Sequence, residues 1–150
     1  MDALRERASI DDESTLRKLY EIGLSADAWA ALELLPLVEV AWADGKVDEP
    51  ERDAILRAAH DDGILKGTDE HALLEGWLTR RAGHERLDAW IAYVQGMMKS
   101  FDDAERAQFK TNLLGKARAI AESAGGFLGF NKISEPEQRM LDRLAKAFDV

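Results

Sequence analysis

The residues best suited to chemistry are four carboxylates in two copies of one short pattern. Asp44, Asp48 and Glu51 belong to Asp44-Gly45-Lys46-Val47-Asp48-Glu49-Pro50-Glu51, and Glu137 closes Phe130-Asn131-Lys132-Ile133-Ser134-Glu135-Pro136-Glu137. The copies align without a gap: a lysine, a β-branched apolar residue, a helix-capping type, then Glu-Pro-Glu. Three or four carboxylates brought together form an all-oxygen site for a hard divalent cation, Ca²⁺ or Mg²⁺. A short β-bridge between Val47 and Ile133 would bring Asp44, Asp48 and Glu51 up to Glu137.

A structural reading competes for the same residues. Gly45 suits the left-handed position that ends a helix, and Asn131 is the next-best type there. Asp48 and Ser134 are strong N-caps, and Glu51 and Glu137 three residues later complete capping boxes. Pro50 and Pro136 fall in a first helical turn, where no backbone N–H is needed. Each copy is then a tight helix–loop–helix joint, and Asp44 is left without a task. Against a calcium-binding EF-hand loop, Asp44, Gly45, Asp48 and Glu51 hold matching places. The earlier ligand places fall on Val40 and Trp42, which cannot ligate, so a complete EF-hand is excluded.

Other chemistries find little. There is no cysteine, which removes thiol catalysis, disulfides and thiolate metal sites. His60, His71 and His84 form no i, i+4 pair with one another, and no nucleophile elbow or phosphate-binding loop occurs. A net charge of −9 argues against a nucleic-acid partner, which asks for a basic face. The start, Met1-Asp2-Ala3-Leu4-Arg5-Glu6, is charged without an apolar core, so no signal peptide is expected. No apolar run is long enough to insert into a membrane. A cytoplasmic location is the expectation.

The elements that must position these residues are helices. The 150 residues are 46% hydrophobic, with three prolines and no sustained strand alternation. Residues 1–12 are polar and expected to fray. Helices are predicted over 14–22, over 27–43 with Ser25 or Asp27 as its start and a kink at Pro36, and over 49–61. Further helices are predicted from Thr68 to Gly83, over 85–99, from a Ser100 cap to Gly125-Gly126, and from Ser134 onward. Within 27–43, Glu33 and Glu39 are expected to reach solvent. Ile64 and Leu65 are expected to tuck onto the core, as are the four tryptophans and Met97-Met98. Phe127 to Phe130 is the candidate exposed apolar patch. The sum is one all-α domain over 1–150: a compact bundle of about seven helices with two pseudo-symmetric helix–loop–helix joints.

Ala43-Asp44-Gly45-Lys46-Val47 with Glu51, repeated as Gly129-Phe130-Asn131-Lys132-Ile133-Ser134 with Glu137, resembles the signature of the tellurite-resistance TerB family. The resemblance spans roughly residues 14–149 and implies an all-helical bundle tied to stress resistance. It implies a divalent-cation-binding acidic surface and no enzymatic reaction. A related domain opens some membrane-anchored co-chaperones, which implies a protein partner, including a membrane-associated one. Phe130 stands where the symmetric pattern has a second aspartate, which argues against two metal sites. Two functions therefore stand side by side: a cation-responsive stress protein, or an interaction or scaffold module whose joints are purely structural.

Overall fold

The computed structural model describes residues 2–8, 12–124 and 133–149, and the described residues are helical with no strand. Among the described residues eight α-helices run in the order α1 (Asp2–Ala8), α2 (Glu13–Glu21), α3 (Leu35–Trp42), α4 (Glu49–Asp61), α5 (Asp69–Thr79), α6 (Glu85–Met98), α7 (Asp103–Ala124) and α8 (Glu135–Lys146). A 3₁₀ segment, Ala26–Leu34, stands between α2 and α3.

Local chemistry sets most boundaries. Asp12, Ser25, Asp48, Thr68 and Ser134 each accept a backbone N–H at a helix start. Asp102 and Glu105 exchange backbone-to-side-chain bonds at 3.0 and 2.8 Å, a capping box at the head of α7. The cap there is Asp102 and not Ser100, whose hydroxyl turns back to donate to the Met97 carbonyl.

The expected long helix over 27–43 is two elements. The 3₁₀ segment hands over to α3 at Leu35, and Pro36 is the second residue of the new helix. Pro36 therefore starts a helix, where it removes no hydrogen bond, and does not kink one. α3 is the hub of the molecule: Leu35 to Ala41 are all buried, and α4, α5, α6, α7 and α8 pack around it. A helix buried on every side must be apolar all round, as this one is apart from Glu39.

Two other boundaries and one burial differ from the sequence expectation. The amino end forms α1, anchored by Leu4, only 3% exposed in the core, where fraying was expected. α5 stops at Thr79, before Gly83. Its late carbonyls are taken by side chains: Trp77 O accepts from Trp42 Nε1 (2.8 Å) and from Arg86 Nη1, which also reaches Arg80 O. Leu65 stays 53% exposed while its neighbour Ile64 is buried. Trp29, Trp77, Trp90 and Met98 are buried, and Trp42 and Met97 are partly so.

Candidate functional site

The first joint forms as its residues dictate. Trp42 O accepts from Gly45 N at 2.8 Å, and Gly45 turns the chain with φ +98°, a left-handed conformation that an L side chain would strain. Asp48 then caps α4: its Oδ1 accepts from Glu51 N (3.0 Å), while Glu51 Oε1 accepts from Asp48 N (3.2 Å). At α8 the same reciprocal pair joins Ser134 and Glu137, at 3.0 and 3.3 Å. Gly129, Phe130, Asn131 and Lys132 of the second joint, and the apolar run from Phe127, lie outside the described residues.

Burial is what capping leaves unexplained. A capping-box glutamate works on an exposed helix start, as Glu105 does, yet Glu51 is 0% and Glu137 2% exposed. In each, Oε1 is used by the box. Each Oε2 is sealed from solvent with no hydrogen-bond partner among the described residues. An unsatisfied buried oxygen costs about 1–3 kcal/mol, more if charged. Each of the two oxygens, at the two repeated helix starts, is left with a demand that a proton or a cation can meet.

Electrostatics ties the four sequence-selected residues together. Burial first, then the negative charges of Asp48, Glu137 and Asp44, push the Glu51 carboxyl up to about 9; the Asp48 backbone N–H opposes the rise. Asp44 is exposed and Asp48 half-buried. The arrangement is thus a buried glutamate pair with two aspartates at its margin. It is not a ready-made cage: among the described residues no three carboxylates or imidazoles stand together as ligands. The expected bridge between Val47 and Ile133 is also absent; both residues instead pack their side chains partly against the core. The donor set is nevertheless all oxygen. Glu51 and Glu137 could each give a hard cation one Oε2, and Mg²⁺ is commonly held by one or two carboxylates with water completing its shell.

A second charged group was not anticipated. Glu39, expected at solvent, is 8% exposed and faces Arg86, itself 5% exposed, with Oε1 and Nε 3.3 Å apart. The pair is close but off-axis, so neither atom completes a hydrogen bond. Burial pushes the Glu39 carboxyl up, and the charges of Arg86, Arg143 and Arg81 oppose that rise. The available signal was an acid inside a wholly apolar helix.

The histidines serve locally. His71 Nδ1 lies 2.6 Å from Glu75 Oε1 and His84 Nδ1 2.6 Å from Asp88 Oδ2, both one helical turn apart.

No family model, curated protein or solved structure matches this chain.

Proposed function

We propose that this chain is a non-enzymatic, TerB-like stress-response module in which a divalent cation competes with a proton for the Glu51–Glu137 pair. The supporting observation is the pair of sealed, partnerless Oε2 atoms at the two repeated helix starts. At rest a proton on Glu51 relieves the repulsion. Glu51 and Glu137 would hold Ca²⁺ or Mg²⁺ through these oxygens in place of that proton, with Asp44, Asp48 and water as further oxygen donors. Because the two glutamates head different helices, occupancy changes how firmly α4 and α8 are held, and a protein partner could read that.

Calorimetric titration with Mg²⁺ or Ca²⁺ in buffers of different ionisation enthalpy tests this. About one proton leaves per cation bound near neutral pH. Asp44→Asn weakens binding and Glu51→Gln abolishes the proton release. Titrations without heat or proton release would leave the pair as a proton-holding structural lock. That outcome favours the second reading, an interaction or scaffold module, for which the completeness of both capping boxes speaks.

A further inference from the structure

A cleft at the head of α6 stands apart from the glutamate pair. A cavity of about 400 Å³ opens there between α3, α6, α8 and the turn before α6. Arg81, Arg86 and Arg143 line it together with His84, and Glu39 is the one carboxylate in its wall. In a chain of net charge −9, three guanidinium groups gathered on one cavity need a reason.

One of them is built in. Arg86 is 5% exposed, and its Nη1 is fixed by the carbonyls of Trp77 and Arg80. Its Nε is sealed from solvent and faces Glu39 Oε1 at 3.3 Å. Arg81 and Arg143 are exposed, and both are near enough to act on Glu39. The head of α6 adds backbone donors. His84 occupies its N-cap position and makes no capping bond, whereas α2, α4, α5 and α8 are all closed by a side chain. Free N–H groups at a helix start attract anions, and guanidinium groups bind oxyanions in a forked geometry.

Three carboxylates stand near these arginines. Arg86 offsets Glu39. Asp88 holds His84 at 2.6 Å and meets Arg143 at 4.0 Å, and Glu85, in the first turn of α6, lays its carboxylate beside Gly83 of the cleft and acts on Arg86. From the three arginines that line one cavity and the uncapped helix head beside them, we propose that this cleft binds the phosphate group of a small phosphomonoester. The cavity leaves room for an organic body beside the phosphate.

The test is a titration of the intact chain with inorganic phosphate and with glycerol phosphate at constant ionic strength, followed by tryptophan fluorescence, since Trp42 also lines the cavity. Saturable binding is expected, with acetate at least about tenfold weaker. Arg143→Ala and Arg81→Ala each lower phosphate affinity about tenfold or more, and Arg57→Ala, on the exposed side of α4, does not. Both test residues are exposed, so the fold is not at risk. If phosphate gives no saturable response, or if all three variants weaken it alike through general charge, the proposal is overturned. Tighter binding of glycerol phosphate than of inorganic phosphate supports the phosphomonoester; equal or weaker binding overturns that part.

Discussion

Glu51 carries most of what is unusual at the residue scale. Its carboxyl rises from an ordinary 4.5 to about 9 in the folded chain, because it is buried and because Asp48, Glu137 and Asp44 surround it with like charge. Between those two values the folded chain keeps a proton that the unfolded chain releases. Stability from this group is therefore complete below about pH 4.5 and declines as pH rises towards 9, by at most about 1.4 kcal/mol per pH unit. Glu51→Gln imitates the protonated acid and removes the dependence. Urea unfolding across this range is expected to show a falling stability for the wild type and a flatter profile for Glu51→Gln. The buried pair of Glu39 and Arg86 makes a different prediction. Glu39→Ala strands a guanidinium in the core and costs about 3–5 kcal/mol. Changing both partners to methionine removes the stranded charge and costs less than Glu39→Ala alone, measured by the same unfolding experiment.

At the scale of elements, boundaries written in local chemistry were legible in the sequence. Asp48 and Ser134 cap, Glu51 and Glu137 close their boxes, Gly45 turns the chain, and α4 spans 49–61 as predicted. Boundaries decided by a distant partner were not. The stop of α5 at Thr79 depends on Trp42 and Arg86 reaching its last carbonyls, and nothing in residues 68–83 announces that. Likewise the change from 3₁₀ to α at Leu35 is set by packing in the centre of the molecule, and Pro36 marks the start of a helix that periodicity merged with its neighbour. Because Pro36 breaks no hydrogen bond there, Pro36→Ala is expected to cost only the packing of its buried ring methylenes, about 1–2 kcal/mol. Gly45→Ala, at φ +98°, is expected to cost about 1–2 kcal/mol through backbone strain. Thermal unfolding of the two variants checks both.

Over the whole molecule, the all-α class and the burial of Trp29, Trp77 and Trp90 followed from composition and periodicity, because both report how much apolar surface must be hidden. The candidate site was legible as residue types. That its two glutamates are sealed was not, since burial of a polar side chain depends on what packs over it. α3 links the parts: it packs against α4 and α8, which start at the glutamate pair, and its Glu39 faces the arginine cleft. Arg81, which lines that cleft, has Nη1 only 3.7 Å from where a Cβ would stand on Gly45 of the first joint.

The proposed competition between a proton and a divalent cation at Glu51 has a direct readout. The most direct measurement is the thermal midpoint with chelator and with millimolar Mg²⁺ or Ca²⁺, at about pH 6 and about pH 8.5. A ligand that binds only the folded chain raises its stability by mass action. The account predicts a higher midpoint with cation, a larger gain at the higher pH where the proton is easier to displace, and no gain in Glu51→Gln. A midpoint indifferent to both cations at both pH values, or a gain that Glu51→Gln retains in full, would contradict it.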